Sequence, residues 1–278
     1  MSLAKLGEIP REVILGLVVI AMAIPILHPL GLPIPIGKST RDFYAAVEAV
    51  PSGGVILFDI GYGAGGYPSL GPGTVAVLRH CFARARDAGV KIVLMATQLE
   101  GSMIYPLLME EVKPEEEYGV KYGEDYVFLG YIAGVETAMA AVLGDLHAAV
   151  TKDYYGTPIE NIPMLKDIRN YEDIDLVIYF TTAGGIAEGW VYQAYSKYNR
   201  KVCGAWLSMM TPSLKPYYDA GALAGFMDGI KGGAEYEKLI NRPGKAIMSS
   251  DILSLTQTLV IIYIILGNIA YLSTRKAE

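Results

Sequence analysis

An α/β fold class, with a mostly parallel three-layer sheet domain held between an N-terminal and a C-terminal transmembrane helix, follows from three observations. The first is the uncharged run LTQTLVIIYIILGNIAYL, Leu255 to Leu272, which gives way to Arg275 and Lys276. At a rise of ~1.5 Å per residue, it and its flanks cover a hydrocarbon layer ~30 Å thick. The second is a matching apolar run, Val13 to Ile36, in which His28 is the only strongly polar side chain. The third is the sequence between them, where short continuous apolar runs alternate with helical-period segments. That is the pattern of buried parallel strands joined by crossover helices. The chain divides accordingly into an anchor with a Pro-rich strut (1–36), an α/β domain (37–247) and a second span with a basic tail (248–278).

The first span follows Lys5 and Arg11 and carries no small-residue cleavage pattern before its stiff tail HPLGLPIP, so it reads as an uncleaved anchor. Pro25 kinks or ends its helix, and each residue before a later proline is pushed toward extended backbone. In the domain, Ser39 caps a helix that runs to about Val50, and Val55–Ile60 is a buried strand. GYGAGGYPSLGPG (Gly61–Gly73) reads as a loop before a helix over 74–88, and the next strand is VKIVLMA, Val90–Ala96. A helical patch (103–112), an acidic turn (114–117), a strand (125–130) and a helix (135–147) follow. Residues 151–171 read as a long surface excursion. Strand 175–180, helix 186–198, strand 201–207, helix 213–220, a short strand near 223–227 and a helical turn (234–240) complete a Rossmann-like alternation.

Composition excludes several functions. The net charge is −6 and no basic run exceeds two residues, so no phosphate-neutralising surface for nucleic acid is present. Cys81 and Cys203 lie in apolar surroundings and read as buried thiols rather than a disulfide framework. No clustered His, Cys or carboxylate set suggests a metal, no Gly-x-Ser-x-Gly elbow occurs, and no cofactor is expected. The expected partners are a lipid bilayer and further copies of the chain. Lys5, Arg11, Arg275 and Lys276 flank the far sides of the two spans, which places both termini in the cytoplasm and the domain outside it. Gln257, Ile261, Ile264 and Asn268 share one helix face, whose amides favour helix association in lipid. Gly16 and Ala23 offer a close-approach surface on the first span.

In open α/β sheets ligands sit at the carboxyl ends of strands. Two junctions there are glycine-rich, and they supply the candidate ligand residues: Asp59, Gly63, Gly65 and Gly66 at the first, Thr181, Thr182, Gly184 and Gly185 at the second, and Gln98 after the second strand. Glu100, Glu136 and Asp228 also follow strands. The first junction is no Walker loop, since Gly-Lys-Ser/Thr is missing. It is also a poor dinucleotide fingerprint, because Pro68 and Pro72 stand before the expected helix and no acid ends the second strand. Glycines at such turns more often serve backbone geometry than ligands.

The phrases YGEDYVFLGY (Tyr122–Tyr131), TKDYYGTP (Thr151–Pro158) and GGAEYEKLINRPGKA (Gly232–Ala246), with a span at each end, resemble a family of uncharacterised prokaryotic two-span membrane proteins. That resemblance implies the architecture and no activity. Trp206–Gly229 is similar to the last βαβ stretch of type I periplasmic binding proteins. The expected function is a non-enzymatic, homo-oligomeric assembly or scaffold domain at a membrane. The alternatives are a small-ligand sensor using the glycine junctions and, lower, a tethered hydrolase with a crotonase- or Clp-like core.

Overall fold

A computed structural model describes residues 10–28 and 30–275, and the chain forms two compact units. The larger, Pro35–Pro243, is built on six parallel strands: β1 (Val55–Gly61), β2 (Lys91–Ala96), β3 (Tyr126–Tyr131), β4 (Leu176–Thr181), β5 (Lys201–Trp206) and β6 (Gly225–Asp228). They lie in the order β3-β2-β1-β4-β5-β6, the Rossmann-like arrangement. Register aligns Asp59 with Met95 on one side and Tyr179 on the other, and Gly61 with Thr181. The strands read as unbroken apolar runs because both of their faces are covered.

On one face, Ile56, Phe58, Ile92 and Phe180 pack against Phe43 and Val47 of α2 (Lys38–Glu48), Phe82 of α3 (Tyr67–Ala88) and Leu108 of α4 (Gly101–Val112). On the other, Leu57, Val93, Val127 and Val177 meet Met139 and Val142 of α6 (Glu136–Gly144) and Trp190 of α8 (Gly184–Trp190). Each such large apolar side chain contributes roughly 1.5–3 kcal/mol by leaving water.

Three expectations are corrected. The helix after β1 begins at Tyr67 rather than Thr74, so Pro68 and Pro72 lie inside it. Pro68, in the first turn, removes only a donor that would lack an intrahelical partner, whereas Pro72 lies beyond that turn and leaves the Pro68 carbonyl without its usual i+4 donor. The helix after β3 breaks at Asp145, whose carboxylate accepts the amides of His147 and Ala148 and starts the short α7 (Leu146–Ala149). The helix after β4 is α-helical only to Trp190 and winds as a π-helix over Val191–Ser196.

The smaller unit holds α1 (Arg11–Leu27) and α11 (Lys245–Arg275). α11 is long and apolar enough to cross a membrane, with a mean hydropathy of 2.0 over an 18-residue window within Lys245–Leu272. The expected first span is shorter than the apolar run. Its helix has 17 residues and stops at Leu27, a length of ~26 Å, and the described residues 30–37 are non-helical. The two helices pack together, and their covered residues recur at the three-to-four spacing of a helix–helix seam: Ile14, Val18, Ala21 and Pro25 on α1, Leu259, Tyr263, Leu266 and Ala270 on α11. Gln257, Ile261, Ile264 and Asn268 are exposed, as is Gly16, while Ala23 is half-buried. α11 therefore meets α1 through a different stripe from its amide face.

At the head of α11, the buried Asp251 carboxylate accepts the backbone amides of Leu30 (2.9 Å), Gly31 (2.8 Å) and Leu32 (3.0 Å). Gly31 takes φ +59, a conformation that costs glycine little.

Candidate functional site

The strand order reverses direction between β1 and β4, so the crevice at their carboxyl ends is the topological switch point. One wall is the turn Tyr62–Gly66, closed by Gly66 N–H donating to Gly63 O (2.9 Å) and Tyr67 N–H to Ala64 O (3.2 Å). The other is Thr182–Gly185. There the Thr181 hydroxyl accepts the Ala183 amide at 3.0 Å, and Gly184 opens α8. The walls touch where Gly66 backs onto the Thr182 methyl, so a Cβ at Gly66 would overlap it. Gly65, Gly184 and Gly185 face open space.

Behind the first turn stands Glu100, just past the end of β2. Its carboxylate accepts the Ala64 amide at 2.9 Å and lies so close to Gly63 that any Cβ there would overlap it. Glu100 also edges a groove of about 570 Å³ whose other walls include Tyr67, Met103, Ile104 and Leu107. Among the stretches that join strand ends to helix starts (62–66, 97–100, 132–135, 182–183 and 207–210), Glu100 is the single charged residue. The crevice therefore carries a carboxylate with no neighbouring lysine or arginine in these loops.

Asp59 is placed differently from its expected role. It is fully buried beneath the crevice, where Thr97 N–H (2.9 Å), the Thr97 hydroxyl (2.8 Å) and Trp190 Nε1–H (2.7 Å) all donate to it. Burial pushes its carboxyl up to about 6, and these donors oppose the rise. Gln98 is half-buried, and its carbonyl accepts the Gly101 amide in the turn that starts α4. Gly63, Gly66 and Thr182 shape the turns; Gly65, Gly184 and Gly185 leave the space. Asp59, Thr97 and Trp190 form one buried set that ties the ends of β1 and β2 to α8. Thr97 and Trp190 carried no signal in the sequence, because their partner is distant along the chain.

At the rim, Val135 takes φ 47 and ψ −97, a strained conformation for a β-branched residue. It precedes Glu136, which accepts Gln193 Nε2–H at 3.1 Å. Two of the histidines are tied into the domain: His80 lies between Glu48 (2.9 Å) and the Tyr236 hydroxyl (2.8 Å), and His147 meets Leu165 O (2.8 Å). Burial lowers the His80 pKa. Cys81 and Cys203 are buried free thiols, both raised by burial. Among the described residues no group of three or more His, Cys, Asp or Glu is arranged to hold a metal.

The first turn does have Gly-x-Gly-x-x-Gly spacing (Gly61, Gly63, Gly66), α3 starts directly behind it, and an acid does follow β2. The prolines therefore no longer count against a dinucleotide, while the acid, Glu100, stands past the end of β2 rather than on it. The donors decide the matter instead. The amides of Ala64, Gly66 and Tyr67 are already used, Pro68 has none, and Glu100 puts negative charge against the turn. These residues do not fit a diphosphate.

No protein-family model and no curated protein matches the chain. Among solved structures, shikimate dehydrogenase of Mycobacterium tuberculosis aligns with 78% of this chain and 62% of its own, at 10% identity and a TM-score of 0.32. The alignment thus spans less than two thirds of that enzyme's length, and a likeness of this degree transfers no substrate, cofactor or residue role. The expectation of a non-enzymatic assembly or scaffold domain is corrected here. This chain's own sheet places an open crevice where α/β sheets bind ligands.

Proposed function

We propose that the Pro35–Pro243 unit binds a small molecule at the switch-point crevice, one with an apolar body and hydroxyl or ammonium donors rather than a phosphate. The carrying observation is Glu100. One of its oxygens accepts the Ala64 amide, and the residue borders an apolar groove. A carboxylate so placed favours donors and cations and repels phosphates. α11 holds the protein at a bilayer, and α1, with its exposed apolar side chains such as Val19 and Ile26, serves as the second membrane helix. Two spans put both termini on one side, and the basic residues that flank them favour the cytoplasm. The resemblance to two-span prokaryotic proteins belongs with this reading.

Matched probes test it on the detergent-solubilised full chain by calorimetric titration: adenosine against AMP, and phenethylamine against phenyl phosphate. The phosphate-free member of each pair is expected to bind tighter. Gly185→Val, which fills open space, should abolish that binding, and Glu100→Gln should weaken it. Phosphate-bearing members binding as well as or better than their partners would overturn the reading.

A further inference from the structure

A second hollow, of about 440 Å³, lies beside the edge strand β3, between the end of α4 and α5 (Pro114–Tyr118). Tyr126 opens β3, so the hollow faces the amino side of the sheet, away from the crevice. Tyr105, Tyr126 and Tyr155 line it together with Glu110 and Glu115. The rings are braced against one another. Tyr105 stacks on Phe128 at 4.0 Å, Tyr122 meets Tyr126 edge-on at 5.2 Å, and Tyr155 stands edge-on to Tyr122 at 5.0 Å and to Tyr154 at 5.1 Å.

Tyr155 is 64% exposed, yet it sits on a pinned loop. The buried Asp153 accepts the amides of Tyr155 (3.0 Å) and Thr157 (2.7 Å) and the Tyr122 hydroxyl (2.8 Å). The charges are unbalanced. Lys113, also at the hollow, is held by Glu116 at 3.1 Å, while Glu110 and Glu115 form no ion pair among the described residues. Glu115 lies beside the Tyr126 hydroxyl, and burial raises the pKa of Tyr105 and Tyr126, which keeps both phenols neutral.

Of the three rings, Tyr105 and Tyr126 are buried and form the floor, while Tyr155 is exposed and can offer its face. Such a ring attracts a cation through its quadrupole, and the carboxylates of Glu110 and Glu115 add to that attraction. We propose that this hollow binds an organic ammonium group, with quaternary or methylated amines preferred over ammonium itself, because an aromatic face rewards a weakly hydrated cation. The site is separate from the crevice and does not depend on it.

The test uses the full chain in a maltoside detergent and compares choline with its neutral carbon isostere, 3,3-dimethyl-1-butanol, by saturation-transfer NMR and calorimetry. Choline is expected to bind saturably and the isostere not to. Tyr155→Ala should weaken choline by about five- to thirtyfold, the range of a partly to fully desolvated cation–π contact, and Tyr155→Phe should retain it. Glu115→Gln should weaken it and flatten its salt dependence, and Gly185→Val should leave it unchanged. Tyr155 is exposed, so thermal unfolding of its variants is expected to match the parent. No saturable choline binding, equal binding of the isostere, or no effect of Tyr155→Ala would each overturn the proposal.

Discussion

Asp251, at the head of α11, and Asp59, at the end of β1, are both buried and both accept three donors, but the donors differ in kind. Asp251 is held by three consecutive backbone amides. Its clamp survives side-chain changes at Leu30 and Leu32 and needs only the turn at Gly31. Asp59 takes one backbone amide, a hydroxyl and an indole, so it depends on Thr97 and Trp190 by identity. Glu100 is the contrasting case: it is exposed, and among the described residues one donor reaches it, the Ala64 amide. The comparison teaches that the number of internal donors separates a carboxylate committed to structure from one available to a ligand.

The largest expected effect is at Asp251. Asp251→Ala removes three charge-assisted hydrogen bonds and leaves three amides to find other partners, a loss of about 3 kcal/mol or more. Hydrogen exchange at residues 30–32 should show it as lost protection, and unchanged protection would break the comparison.

Asp59 comes next, and its sign is opposite to that of an ordinary ion-paired carboxylate. Its folded value of about 6 lies above the usual 3.8, so the folded state holds the proton more tightly than the unfolded state does. The stability this contributes is present below about pH 4 and is lost as pH rises through 6, about 3 kcal/mol in all. Denaturation at pH 4 and at pH 7 should show that slope in the parent and not in Asp59→Asn, whatever the variant's overall stability. A parent that gains stability across this window relative to Asp59→Asn would contradict the burial argument.

A smaller effect tests the turn. Gly63→Ala should cost roughly 1–2 kcal/mol because its methyl meets Glu100, and Glu100→Ala in the same chain should restore most of it. The pair's coupling energy in chemical denaturation is the readout. The smallest effect is on the open face of α11, where Gln257→Leu and Asn268→Leu should leave α1–α11 packing within about 0.5 kcal/mol of the parent, as measured by unfolding in detergent.

Much of the sheet was legible in the sequence. Val55–Ile60, Val90–Ala96 and Asp175–Phe180 are continuous apolar runs of strand length bounded by turn residues, and each lies within a residue or so of its observed strand. The start of α3 was not legible, because Pro68 and Pro72 count as breakers until a helix is known to begin at Tyr67. The crevice was legible in part. Glycine-rich junctions marked both of its walls, but nothing local distinguished Asp59, whose carboxylate is used up inside, from Glu100, which faces the groove. The strain at Val135 left no trace either, since valine ordinarily avoids positive φ.

By itself the sequence determined where most of the strands lie and that Leu255–Leu272 is a long uncharged apolar run, because periodicity and charge are properties of neighbouring residues. Tertiary structure alone decided that Asp59 meets Trp190, that Glu100 closes on Gly63, and that α11 turns its Leu259–Ala270 stripe rather than its amides toward α1. Those pairings join residues far apart in the chain, and only the strand order and helix packing bring them within hydrogen-bonding or van der Waals reach.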